Sequence, residues 1–395
     1  MKVCTIVKNY IHRIPEGHTN IAINIIESLR TSGLEPTVVA VEPVTARSTD
    51  LGKVRHFSML PLKNELLWNL AFSTRLHDAY VCMKMKLAKL NCDIIHLLNV
   101  PAWVYASILK AFRQKKCSTI AHLWYHNKLT GSFFWRQELW TLKRTCDRVV
   151  VTSKYLADYY RTFLGQKVTK VPLPVDTERY RPRDPLSARK YLELPLEDIL
   201  IGYIGNLSPN RGVFDLLEAL RYVKDVRLVI ASPCIRDARL VVKHNHINAG
   251  NTMIFEDYRK KLGRSIMVLG ALTHPELFYN AVNILVLPFK RPYAFTEPPL
   301  VVLEALSSGT PLITTPMGSI AEYTEHEYNA IHVAPHPRDI ANAINKLIQG
   351  EDLRQRLSRN SRVSAMKLSL KNVGRQLLEI YRELYEERNG LVRAL

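Results

Sequence analysis

Three side chains in this 395-residue sequence sit where their type and surroundings could do chemistry. The first is Glu304, inside TEPPLVVLEALSSGTPLITTP at 296–316. Leu300, Val301, Leu303, Ala305 and Leu306 give that stretch an apolar helical stripe. Thr296 is a candidate N-cap, Pro298 and Pro299 suit a first turn that needs no intrahelical N–H, and Gly309 suits a left-handed stop. A carboxylate in the middle of such a helix is costly to bury alone. Glu304 must therefore bond something specific, either a ligand or a nearby Arg or Lys. The second is Arg211 in GNLSPNRG, 205–212, between an apolar strand at 200–204 and a helix at 215–223. A strand, a glycine loop and a helix start can hold phosphate, and a guanidinium offers it a forked pair of donors. The third is His122, at the end of the strand STIAHL, 118–123, with His126 just beyond. Open parallel sheets bind ligands at the carboxyl ends of their strands. A structural role fits a lone strand-end histidine equally well.

These groups need a scaffold, and the order of elements supplies one. Residues 2–7 read as a strand, 10–19 as a loop containing Gly17, 21–32 as a helix stopped by Gly33, and 36–41 as the next strand. This is one βαβ unit. Strands at 92–98, 118–123 and 148–153 and a helix at 101–112 continue it. KVTKVPLPVDTERYRP, 167–182, is a proline-rich break that marks a domain boundary. A second series follows, with strands at 200–204, 226–231, 265–272 and 284–288 and helices at 215–223 and 273–281. HPRDIANAINKLI reads as a helix, and 366–386 as a final amphipathic one. Residues 54–90 mix Leu, Trp, Phe and Met with Lys and Arg. They read as one or two amphipathic helices, either an interfacial face for anionic lipid or, the preferred reading, ordinary helices with an apolar core side. Phe133, Phe134, Trp135 and Arg136 suit an acceptor or membrane contact, or burial.

Composition narrows the classes. Hydrophobic residues make up 47% and charged residues 23%, as in a soluble globular chain. The net charge is +19, and residues 1–175, with 25 Lys and Arg against 11 Asp and Glu, carry +14 of it. Such a half suggests an anionic partner, or serves solubility alone. The six cysteines Cys4, Cys82, Cys92, Cys117, Cys146 and Cys234 form no C-x-x-C pair, which argues against a zinc ribbon or redox motif. They read as buried thiols in a reducing compartment. No secretory leader or bilayer-length apolar run is expected. The lack of G-x-G-x-x-G after either first strand argues against a dehydrogenase. A nucleic-acid binder has only the charge in its favour.

The 296–316 stretch resembles the donor signature E-x7-E-A of retaining GT-B glycosyltransferases of family 4, also called glycosyl transferases group 1. By that resemblance Glu304 is the second Glu and bonds the donor ribose. Thr296 holds the place of the first, which faces the sugar, and Glu297 follows one residue late, with six intervening residues. In 167–182, Val171, Pro172, Val175, Asp176, Tyr180 and Pro182 match the family linker, with Leu173 and Pro174 replacing Asn-Gly. In 205–212, Arg211 takes the place of the family's Lys and Asn206 that of its Arg at the diphosphate; Lys290 or Arg291 would compensate for the missing cation. The resemblance puts Gly17 near the donor phosphates and His122 beside the anomeric carbon, with Gly205, Leu300 and Val301 among the donor contacts. It implies an α/β GT-B architecture of two Rossmann-like doubly wound domains facing a cleft. Residues 1–175 would bind the acceptor and 176–365 the nucleotide sugar, while 366–395 cross back towards the first domain. The implied enzyme moves a hexosyl group from a UDP- or GDP-sugar to a glycan or lipid-linked acceptor. Neither a cofactor nor a catalytic metal is implied, and the expected location is cytoplasmic, with an anionic membrane surface as a further partner. The alternative is a catalytically weak protein on the same fold that binds a nucleotide sugar or a polyanion.

Overall fold

In a computed structural model, residues 1–7, 17–40, 54–56, 91–98, 117–125, 133–232, 249–291 and 296–391 are described. The chain divides into two compact units, one of residues 1–174 and 370–395 and the other of residues 175–369. Each is a parallel sheet with helices, the two-Rossmann-like-domain architecture the resemblance implies.

The first unit holds β1 (Val3–Val7), β2 (Thr37–Ala40), β3 (Val54–His56), β4 (Ile94–Leu98), β5 (Ser118–Leu123), β6 (Arg148–Val151) and β7 (Val168–Lys170). Their order is β3-β2-β1-β4-β5-β6-β7, with every pairing parallel. Strands covered by helices on both faces read as continuous apolar runs, and β1 and β4 are buried along their whole length. Among the described residues, three helices follow strands of this sheet: α1 (Gly17–Thr31), α2 (Phe133–Thr145) and α3 (Lys154–Leu164). Ser153 caps α3 by accepting from the Leu156 N–H at 3.1 Å. Gly17 is the first residue of α1 rather than part of the preceding loop.

One cysteine expectation is corrected. Cys4 and Cys92 are joined as a disulfide, with their Cα atoms 5.9 Å apart. They are 88 residues apart in sequence, but β1 and β4 are neighbours in register. Cysteine usage thus no longer argues for a reducing compartment. Cys117 and Cys146 are buried free thiols, and burial pushes the Cys146 thiol up to about 12. Cys82 and Cys234 lie outside the described residues, as do the 101–112 helix, His126 and nearly all of 54–90. Among the described residues, no helix is long and apolar enough to cross a membrane.

The second unit holds β8 (Ile199–Ile204), β9 (Val226–Ala231), β10 (Ile266–Val268), β11 (Ile284–Leu287), β12 (Leu312–Thr314) and β13 (Ile331–His332). Their order is β10-β9-β8-β11-β12-β13. Its helices are α4 (Pro185–Tyr191), α5 (Val213–Ala219), α6 (Ala249–Leu262), α7 (Pro275–Ala281), α8 (Leu300–Ser308), α9 (Ile320–Tyr323), α10 (Pro337–Gln349) and α11 (Glu351–Met366). Gly309 ends α8 at φ 69° as a left-handed cap. The start of α8 departs from expectation. Pro299 is its N-cap residue, with no side-chain cap, and Thr296 instead donates its hydroxyl to the Pro298 carbonyl at 3.0 Å. Two prolines ahead of the first turn push the helix start four residues past Thr296, beyond reach of its hydroxyl.

The chain then returns to the first unit as α12 (Leu370–Asn389). Val373, Leu377, Ile380, Tyr381 and Leu384 are its buried stripe, at the spacing of one helix face. It lies so close to α1 that a Cβ on Gly374 would fall 1.9 Å from the Ser28 carbonyl oxygen. Alanine normally gains about 1 kcal/mol over glycine within a helix. Here the overlap is with backbone, and overpacking of this kind costs about 1–3 kcal/mol. Gly374→Ala is therefore expected to destabilise the first unit, read as a lower denaturation midpoint and faster proteolysis within α12. An unchanged midpoint would show that α12 is not held against α1.

Candidate active site

In the second unit, β9 lies on one side of β8 and β11 on the other. That reversal is the switch point at which open α/β sheets leave a crevice beyond the strand ends. Two segments border it, 205–212 after β8 and 288–291 after β11. They are in direct contact: the Lys290 N–H donates to the Asn210 carbonyl at 2.9 Å. Gly212, at φ 72°, permits this, since a Cβ there would sit 1.9 Å from the Pro288 carbonyl oxygen.

Arg211 lies in this first loop, and its side chain crosses Gly205. The position of a Cβ on Gly205, at φ 141°, is 3.0 Å from Arg211 Nη1. Arg211 is half-buried and makes no ion pair with a carboxylate among the described residues. Lys290, by contrast, is committed to Asp215 at 3.0 Å. Asn206 accepts the Tyr203 hydroxyl through its backbone carbonyl at 2.8 Å. The structure thus brings Gly205, Asn206, Arg211 and Lys290 to one strand-end mouth, with Arg211 as the uncommitted cation.

Glu297 follows β11 and is fully buried. Its Oε2 accepts from the Ser319 N–H at 2.8 Å and also from the Ser319 hydroxyl. Gly318, at φ 53°, gives it room, since a Cβ there would lie 2.6 Å from Glu297 Oε1. Burial, only partly offset by the Ser319 bonds, lifts its pKa from 4.5 to about 7. The folded chain then holds this proton between pH 4.5 and about 7, where the unfolded chain has released it. This contribution to stability is fully present below pH 4.5 and is lost as pH rises through about 7. Against a Glu297→Gln variant, wild type is expected to lose up to about 3 kcal/mol over that window. Chemical denaturation across the pH series measures it, and parallel curves would refute the raised carboxyl. Leu300 is buried and Val301 half-buried at the start of α8.

Glu304 is buried in α8 and accepts the Tyr279 hydroxyl at 2.5 Å. Tyr180 and Arg179 lie near enough to favour its charged form, although burial keeps its pKa raised. Arg179 itself pairs with Glu276, at 3.0 Å through both Nε and Nη2. Arg362 fixes the linker below, donating to the carbonyls of Thr177, Tyr180 and Ser307. The specific partner demanded by the sequence is thus the Tyr279 hydroxyl. Nothing local could have revealed it, because Tyr279 and Glu304 come from separate helices, α7 and α8.

In the first unit, His122 and His96 are both fully buried. His96 Nε2 lies 3.2 Å from His122 Nδ1, and the Tyr381 hydroxyl of α12 lies 2.6 Å from His96 Nδ1. Burial lowers His96 to about 3 and His122 well below its ordinary value, so both rings are neutral. His122 Nε2 has no hydrogen-bond partner among the described residues. Strand alternation puts His122 on the β5 face of Ser118, whose hydroxyl bonds the Leu384 carbonyl of α12. The ring is thus inside the unit, on its helix-covered face. Neither His96 as its partner nor Tyr381 as the partner of His96 was legible from spacing. Among the described residues, no cluster of His, Cys, Asp or Glu could hold a metal ion.

Two family models match the chain: Glycosyltransferase Family 4 over residues 15–179 and Glycosyl transferases group 1 over residues 187–364. The chain is similar to lipopolysaccharide 1,2-N-acetylglucosaminetransferase of Salmonella typhimurium, 22% identical over 61% of this chain and 63% of that protein. It is also similar to D-inositol 3-phosphate glycosyltransferase of Stackebrandtia nassauensis, 26% identical over 60% of this chain and 53% of that one. The matched region spans from about half to somewhat under two thirds of these curated relatives. Among solved structures, sucrose-phosphate synthase from Thermosynechococcus elongatus superposes with a TM-score of 0.78 at 18% identity, covering 98% of this chain and 99% of that one. The Anabaena protein HepE in complex with UDP-glucose gives 0.74 at 18%, covering 97% and 100%. At such identities these two similarities establish the fold.

Proposed function

Since this chain belongs to the family 4 glycosyltransferases, glycosyl transferases group 1, we propose that it transfers a hexosyl group from a nucleotide-diphospho-sugar to an acceptor hydroxyl, with retention of anomeric configuration. The observation that carries this reading is Arg211, a half-buried cation without a carboxylate partner among the described residues, laid over Gly205 at the sheet's switch point. A diphosphate leaving group needs its developing charge stabilised as the anomeric C–O bond breaks, and a preorganised guanidinium does this. In this reading Arg211 and the loop at Gly205 and Asn206 grip the diphosphate. Glu304, held by Tyr279, faces the ribose, while Thr296 or Glu297 lies towards the sugar, with Leu300 and Val301 beside the donor. The leaving phosphate oxygen takes the acceptor proton. HepE in complex with UDP-glucose favours a UDP-sugar, with a GDP-sugar second. The acceptor is a glycan or a lipid-linked saccharide, met on the cytoplasmic side where the donor is.

A weaker, binding-only reading has one observation behind it: Glu297 is engaged by Ser319, and position 296 is not acidic. Slow hydrolysis of the donor in the absence of acceptor separates an enzyme from a binder. The direct test is a thermal-shift series with UDP-, GDP- and ADP-sugars. Ligand at 100 times its Kd stabilises the folded state by about 2.7 kcal/mol. A rise with one nucleotide class is expected; no rise with any of them would overturn the proposal.

A further inference from the structure

The outer face of α2 carries Arg136, Trp140, Lys143 and Arg144, all exposed. Their spacing puts them on one side of the helix. The opposite side, Glu138, Leu139, Thr141 and Leu142, is buried. Trp140 is 55% exposed, the reverse of what an indole does in a core. The Arg144 guanidinium lies 4.6 Å from its ring centroid. No carboxylate neutralises the three cations among the described residues, because the two nearest in sequence are occupied elsewhere. Glu138 accepts the Tyr125 hydroxyl at 2.8 Å, and Asp147 accepts the Thr119 N–H at 2.7 Å and its hydroxyl at 3.0 Å. Lys167 adds a further cation at the end of the helix, bonding the carbonyls of Lys143 and Cys146 at 2.8 and 2.9 Å.

We infer that this face of α2 docks the protein on an anionic lipid surface, with Trp140 seated among the headgroups and Arg136, Lys143 and Arg144 against their phosphates. An indole with one apolar side and one wet edge is suited to a membrane interface. Cations around it are attracted to acidic headgroups within a Debye length. Single-stranded nucleic acid uses a groove with successive free aromatic faces. This face is a convex helix side with one indole, and Arg144 already covers one side of that ring. The inference deepens the acceptor side of the proposed function, since a lipid-linked acceptor lies in such a surface. Its test uses no transfer reaction, so the two readings fail separately.

The experiment is co-sedimentation of the full chain with phosphatidylcholine vesicles, with and without phosphatidylglycerol, over a salt series. Wild type is expected to bind only the anionic vesicles, with binding falling as salt rises. The combined variant Arg136→Glu, Lys143→Glu, Arg144→Glu is expected to bind at least roughly 100-fold less tightly, about fivefold for each cation lost. Trp140→Ser is expected to weaken binding while leaving the salt dependence unchanged. Both variants should melt as wild type and keep any nucleotide-sugar thermal shift, since every altered side chain is exposed and lies in the first unit. The inference is overturned if the variants bind as wild type, if wild type binds neutral vesicles equally well or no vesicles at all, or if a single-stranded oligonucleotide displaces the protein from anionic vesicles.

Discussion

An Arg211→Ala variant is expected to transfer roughly 10²–10³ times more slowly than wild type, the usual cost of one preorganised charge-stabilising donor. The loss should fall on kcat/KM with the donor identified by thermal shift, and the donor-induced shift itself should shrink. Arg211→Lys keeps the charge and loses the forked geometry, so an intermediate rate is expected. Folding should be unaffected, because half-buried Arg211 has no ion pair to break among the described residues, and substitutions away from such features stay within about 0.5 kcal/mol. An Arg211→Ala variant with wild-type kcat/KM would remove the diphosphate from this mouth of the sheet. Gly205 provides a second check. A side chain there meets both the left-handed φ and the Arg211 guanidinium, so Gly205→Ala should reproduce part of the Arg211 defect by displacing the cation rather than removing it.

The second large effect is expected at Glu304, and it has two components. Glu304→Ala leaves the Tyr279 hydroxyl without its acceptor in a buried site. Such an orphaned group costs about 1–3 kcal/mol. The alanine variant should therefore lose stability as well as most of its activity. Glu304→Gln separates the two. It keeps an acceptor oxygen for Tyr279, so its denaturation midpoint should recover most of the loss. If the carboxylate also holds the donor ribose, the glutamine variant folds normally but retains a reduced rate and a smaller nucleotide-sugar shift. A glutamine variant with full activity would make Glu304 a packing residue and remove the ribose contact from the mechanism.

Local chemistry carried much of the architecture into view. Apolar runs at 2–7, 118–123 and 284–288, alternating with amphipathic stretches and stopped by Gly33 and Gly309, place the strands and helices of two parallel sheets. The proline-rich break at 167–182 falls where the chain passes from one unit to the other. The 205–212 loop was readable because a glycine turn and an arginine within one short segment need each other at close range. The helix begins at Leu300 behind Pro299 rather than behind Thr296, because a capping hydroxyl and two prolines both signal a first turn and the sequence does not rank them.

By itself, then, the sequence determined the class of fold, the family it resembles and the candidate residues at the strand ends, because strand periodicity, glycine turns and short motifs act between near neighbours along the chain. Only the tertiary structure decided that Cys4 meets Cys92, that His122 is turned inwards against His96, which in turn meets Tyr381, and that Glu304 is held by Tyr279. Those contacts join residues from separate elements. Their partners are set by which strands become neighbours and which helix closes over them, and neither leaves a periodic trace in the amino-acid order.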